Sequence, residues 1–414
     1  MRLRLPIALA AVFLFAGFGG SAQKSQPLLG LVSRSAESMA LVRLDPGTLV
    51  TRAGPWLSLG DRYLAWSFSP DRSKLVFGDS YRGELLLVDA KRMRRIALVD
   101  SFQSAITVAT SWPADDRLYA VTEALTPIDD YNTSCCGPAQ LATVDPAAHK
   151  ILATQPLGGQ VYGDAHAAGE LVLLLGPVNA LGPARLAVVG RDGGVRTFAV
   201  DGVSVGRDPD TGEGQIEHFA QPGFAVSPDA SRAYLVAPGR IVEVDLGTGA
   251  VSSHPLAARR SLEKVEKEGA ADGSWRTAAW ARPGVLVVSG IDNHASIGPD
   301  GHAKVDSAPA GAALVDTRDW SMRVVDADAT DATIGSDAIA VTGFGRGVTI
   351  YGLDGALRAR LYRRQDVGVL ALGRRAFVQT QAGYYSIVSL RTGAILRKIR
   401  GEVPKPLLGA GADS

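Results

Sequence analysis

Short apolar runs rich in β-branched and aromatic residues recur along the chain, as in Leu85-Leu86-Leu87-Val88, Ile241-Val242-Glu243-Val244 and Ala376-Phe377-Val378. Gly, Asp and Pro interrupt them at strand-length intervals, and no 3.6-residue period is sustained, so the pattern predicts strands. Their continuous apolar character suits strands covered on both faces. One segment reads differently. SLEKVEKEG, residues 261–269, predicts a short exposed helix with Ser261 as N-cap and Gly269 as stop.

The pattern repeats. FSPDRSKLVF at residues 68–77 returns as VSPDASRAYL at residues 226–235, each followed by a strand ending in Val-Asp, at Val88-Asp89 and Val244-Asp245. A strand, a Pro-Asp turn, a second strand, a loop, a third strand ending near Asp, a tight turn and a last strand make one four-stranded unit. The last turn anchors at Asp45, Asp89, Asp145, Gly190, Asp245, Asp316, Gly352 and Leu390, at intervals of 44, 56, 45, 55, 71, 36 and 38 residues. A period near 40 with insertions predicts an all-β fold, a single closed β-propeller with eight blades by hairpin count and seven as the alternative. The anchor aspartates are expected to accept turn N–H groups, a folding role. The first unit starts at its second strand, residues 28–32, and a C-terminal segment around residues 407–410 is expected to supply its missing inner strand, removing an exposed sheet edge.

On these motifs the chain resembles the YVTN-type and WD-repeat-like bacterial β-propellers, including quinoprotein-like relatives. The resemblance spans residues 28–400 in pattern and implies the propeller fold rather than an activity. Quinoprotein alcohol dehydrogenases, which are similar in blade number and exported location, hold a ring of two adjacent cysteines against their quinone. This chain is much shorter, and its six Trp do not form their repeated docking pattern, so quinone is disfavoured as a cofactor.

Strand alternation places one set of loops on one face of such a ring, and the long segments all fall in that set: residues 122–139, 176–183, 201–221, 257–274 and 290–311. Long loops in a compact domain are candidate binding elements. The first, TEALTPIDDYNTSCCGPA, brings Asp129, Asp130 and Tyr131 beside Cys135 and Cys136, which are the candidate ligand-binding residues. Adjacent cysteines can form a vicinal disulfide, an intermolecular bridge, a metal-ligand pair or two inert thiols, with metal disfavoured because no third thiolate exists. The last segment, IDNHASIGPDGHAKVD, holds Asp292, His294, Asp300 and His302, candidate ligands for a divalent metal. Asp208, Asp210 and Glu213 lack the glycine and glutamate register of an EF-hand.

Composition adds a compartment. Arg2 and Arg4, an apolar run from Leu5 to Phe18 and small residues at Gly20 and Ala22 read as a secretory signal peptide, residues 1–22, leaving residues 23–414 as the propeller domain. A secreted or periplasmic protein without a transmembrane span in the mature chain is expected. The balance of 43 basic and 42 acidic side chains, without a dense basic run, argues against nucleic acid. No Gly-x-Ser-x-Gly, His-Glu-x-x-His, Walker or haem-attachment motif occurs, and the six histidines are dispersed. The reading is a monomeric exported scaffold for a protein, peptide or cell-envelope ligand, the alternative being a quinone-dependent or metal-assisted propeller enzyme.

Overall fold

The computed structural model describes residues 28–35, 38–60, 63–79, 83–99, 105–127, 133–208, 216–256, 264–268, 271–299, 301–380 and 383–407. The expected signal peptide, Asp129, Asp130, Tyr131 and Asp300 lie outside the described residues. Everything described is strand, turn or connecting segment, with no helix. Among the described residues no helix is long and apolar enough to cross a membrane.

Antiparallel meanders follow one another in chain order, as in Tyr63–Phe68, Lys74–Asp79, Leu85–Asp89 and Arg94–Val99. The first strands of successive meanders pack against each other, from Tyr63–Phe68 to Ala105–Ala114, Gln160–Ala167, Gly223–Val226, Ala271–Arg282, Asp331–Ile334 and Val367–Leu372. Apolar layers fill the spaces between neighbouring sheets. Leu75, Phe77 and Val88 meet Leu29, Leu31 and Leu41, while Phe377 and Ile387 meet Val42 and Leu44. This explains the continuous apolar runs, because each middle strand is buried on both faces. Burying such a side chain contributes about 1.5–3 kcal/mol. The fold is a β-propeller of four-stranded blades.

Blade number differs from expectation. Among the described residues six sheets have four strands each and one further sheet has 11, so neither eight nor seven separate four-stranded blades appear. No sheet closes on itself. The two ends of the described chain meet in one sheet, where Lys405–Leu407 pairs with Leu28–Ser35 through Leu29↔Leu407 and Leu31↔Lys405. The closing strand thus begins two residues before the expected segment. Lys405 also lies 4.2 Å over the Trp66 ring, tying this strand to the next sheet.

The repeat motif has a physical basis in its turns. Ser69 Oγ donates to Asp71 Oδ1 (2.6 Å) and accepts from Lys74 N (3.0 Å), while Ser73 N and Oγ donate to the same carboxylate. Ser227, Asp229, Ser231 and Arg232 reproduce this arrangement, with Arg232 N reaching Ser227 Oγ at 2.9 Å. Hydrogen bonds from Ser69 and then Ser73 hold the Asp71 carboxyl down at about 2. The anchor aspartates do as expected: Asp245 accepts from Gly247 N and Thr248 N, and Asp45, Asp89 and Asp145 accept from the two corresponding N–H groups. Removing either nearly buried serine leaves a backbone N–H without its acceptor. Ser69→Ala and Ser227→Ala should each lower stability by about 1 kcal/mol in urea unfolding, and additively, since the turns share no partners.

Candidate functional site

Where described, the long segments expected to be loops are largely strand. Val285–Ile297 is long enough for two tasks: its first half pairs with Ala312–Asp316, and its second half pairs with Ala303–Pro309 from Ile291↔Pro309 to Ile297↔Ala303. Ile291–Ile297 and Ala303–Pro309 therefore pair as a β-hairpin that continues beyond its blade. Its tip is a turn in which Gly298 N donates to His302 O and Gly301 takes φ 77°, a conformation that favours glycine. Exposure alternates along Ala303–Pro309, with Val305 and Ser307 buried and Lys304 exposed, as a sheet with one covered face requires.

Two further segments join this hairpin. Val195–Asp208 runs beyond its blade and pairs with Glu217–Gln221 through Gly206↔Ala220 and Asp208↔His218. Glu217–Gln221 then pairs in parallel with Ala271–Arg282, from Glu217↔Ala271 to Gln221↔Trp275. At the other side Val265–Glu268 pairs with Ala303–Pro309. Within the expected helix Val265–Glu268 is a strand instead, because the pairing Val265↔Ser307 and the ion pairs Lys304–Glu266 and Lys264–Asp306 outweigh a local helical preference, while the expected cap Ser261 and stop Gly269 lie outside the described residues. Segments from three connections form one surface, and Gly273 fits where any Cβ would lie 1.9 Å from Phe219 O.

The polar groups on this surface converge on Asp272. His294 Nδ1 lies 3.2 Å from Asp272 Oδ1 and His218 Nδ1 lies 3.4 Å from Oδ2, while Ala295 N also donates to Oδ1. Both histidines are exposed, and the carboxylate is 28% exposed. Asp292 is held instead by the buried Arg276, whose guanidinium also reaches Trp275 O and Ile291 O. The candidate metal residues are therefore divided: His294 faces Asp272, Asp292 faces Arg276, and His302 sits at the hairpin tip. Among the described residues no three His, Cys, Asp or Glu side chains form a metal-ligand group. Asp272 and His218 escaped sequence reading because their partners come from three different strands.

The other inserted hairpin stands beside this surface. Arg117–Pro127 and Thr133–Asp145 pair along their whole length, except that residues 136–138 bulge between Cys135↔Leu125 and Ala139↔Glu123. Gly137 lies so close to Ala124 that an added Cβ would sit 3.0 Å from that side chain. Cys136 is buried and disulfide-bonded. Next to the bulge, Glu123 is 1% exposed and accepts a 2.5 Å hydrogen bond from Val161 N of the following sheet. Burial pushes this carboxyl up to about 7, against the lowering effect of the Val161 N–H. One acidic residue inside the apolar run LYAVTEALTP was the available signal.

A second polar group lies between the same two sheets. His166 Nδ1 is 3.1 Å from Ser111 Oγ, and its Nε2 is 3.2 Å from Asp164 Oδ2. Ser111 is buried on Ala105–Ala114, whereas Asp164 and His166 share a face of Gln160–Ala167. The imidazole thus ties adjacent inner strands together, and His166→Ala should lower stability by about 1 kcal/mol in urea unfolding.

No protein-family model matches the chain, and no curated protein matches it. Its fold is similar to that of dihydro-heme d1 dehydrogenase NirN in complex with DHE, at 15% identity and a TM-score of 0.57, over 95% of this chain and 77% of that one. Weaker similarities include Sqt1 of Saccharomyces cerevisiae (10% identity, TM-score 0.49, 83% and 87% covered) and BamB of Moraxella catarrhalis (13%, 0.39, 90% and 92%). The first shows a shared fold alone.

Proposed function

We propose that this protein is an exported, non-catalytic β-propeller that binds a protein, peptide or cell-envelope ligand on the face carrying its inserted strands. The observation behind this reading is the continuous pairing of Val195–Asp208, Glu217–Gln221, Ala271–Arg282, Val285–Ile297, Ala303–Pro309 and Val265–Glu268. Insertions that drift neutrally have no reason to pair with each other across connections, whereas a paired surface is preorganised for a partner. The 11-stranded sheet contains two meanders of blade form, Gln160–Ala167 to Val195–Asp208 and Ala271–Arg282 to Met322–Asp326.

The paired strands Arg117–Pro127 and Thr133–Asp145, which carry Cys135 and Cys136, extend the proposed ligand face, and the sequence motif alone adds Asp129, Asp130 and Tyr131 to the proposed ligand-binding residues. The disulfide of Cys136 supports a vicinal bond, because Cys135 is the chain's only other cysteine. Alkylation under denaturing conditions should label no thiol before reduction and two after it, on a chain that runs as a monomer without reductant.

Photo-cross-linking groups placed at exposed Ser296 and Lys304 should capture discrete adducts in the producing cell. The same groups at exposed Asp115, in a turn, and at exposed Lys150, the first residue of the strand Lys150–Pro156, should capture none. Equal capture from both sets, or none from either, would remove the binding-face reading.

A further inference from the structure

The near-neutral total charge conceals a strong asymmetry around the ring. Residues 355–400 hold ten arginines and lysines against Asp366 alone, and residues 28–99 hold 11 basic against seven acidic side chains. Residues 100–354 hold 18 basic against 32 acidic. Closure turns these sequence blocks into halves of one body. Lys405–Leu407 pairs with Leu28–Ser35, Tyr385 OH donates to Thr48 O, and Phe377 packs with Val42 and Leu44, so the two basic blocks are neighbours in space. One arc of the ring is strongly cationic, and the arc bearing the inserted strands is anionic.

The cationic arc is also apolar at its rim. On the outermost strand Ile395–Arg400, Arg397, Lys398 and Arg400 are exposed beside Ile395 and Leu396, which are 43% and 55% exposed. Leu357 is 52% exposed on the outer strand of the preceding blade, which also exposes Arg360. In the next sheet the Arg34 guanidinium lies 5.2 Å over Trp56, itself 55% exposed. Arginines interleaved with exposed aliphatic and indole groups match the interface of an anionic bilayer, where cations meet headgroups and the apolar groups enter the acyl boundary. A double-stranded nucleic acid offers phosphates but no counterpart for Leu396 and Ile395.

We propose that the outer rim formed by residues 355–400 and the adjoining first sheet docks on anionic lipid membranes, leaving the inserted-strand face directed away from the bilayer. The test is co-sedimentation of the full chain with vesicles of phosphatidylglycerol and phosphatidylcholine, compared with phosphatidylcholine alone. Any attachment through the N-terminal apolar run is common to both vesicles, so the readout is their difference. Anionic vesicles should bind more protein at low salt, the excess should vanish at high salt, and R397E/K398E/R400E should weaken it by about tenfold or more. Lys150→Glu, on the anionic arc, should change nothing, and thermal unfolding verifies that each variant is folded. The proposal is overturned if the two vesicles bind equally, if the folded triple variant binds like wild type, or if low salt yields only self-association or polyanion binding without vesicle binding.

Discussion

Replacing Glu123 with Gln is expected to raise stability at pH 8 by about 3 kcal/mol and to leave it nearly unchanged at pH 4. The carboxyl sits between two sheets with Val161 N as a hydrogen-bond donor, and burial moves it up from 4.5 to about 7. Between those values the folded protein holds a proton that the unfolded chain has released, so wild-type stability falls as pH rises through this window. Above it, the folded state carries a buried carboxylate. Gln keeps an acceptor for Val161 N without a charge, so the variant loses the slope. Urea unfolding of both proteins from pH 4 to 8 measures the difference. A variant less stable than wild type at pH 8 would mean that the ionised carboxylate is the favoured form in the fold.

Shortening Leu407 to Ala should destabilise the protein by about 3 kcal/mol, within the usual range for a buried leucine. Leu407 is fully buried against Leu29, Leu31 and Phe77, and it belongs to the three-residue strand that completes the first sheet. Deleting residues 405–414 should cost more, because Leu28–Ser35 then becomes an open edge and Trp66 loses Lys405. Calorimetry should show a large drop in Tm for both. A deletion variant with an unchanged Tm would mean that the chain ends contribute nothing to the ring.

Local chemistry was legible in the sequence, and remote pairing was not. The Ser-Pro-Asp turns and anchor aspartates could be read because donors and acceptors lie within five residues of one another. The closing strand could be inferred because the first unit lacks an inner strand. By contrast, Glu217–Gln221 pairs in parallel with residues more than fifty positions later, and no turn or periodicity announces such a match. That pairing merges two repeat units into one sheet, which is why the hairpin count did not give the number of separate blades. Val265–Glu268 carries helix-forming side chains, yet its partner Ala303–Pro309 decides its conformation. Balanced charge concealed the cationic arc for a related reason: only closure brings residues 28–99 beside residues 355–400.

The central claim is that the inserted segments form one ordered sheet rather than a set of loops. Hydrogen exchange of the native protein tests it most directly, through the amides of Glu217–Gln221, Ala271–Trp275 and Ala303–Pro309. Paired strands should keep these amides protected far longer than the turn at residues 298–302, with protection in Glu217–Gln221 and Ala271–Trp275 lost together. Exchange in all three segments as fast as in that turn would contradict the account.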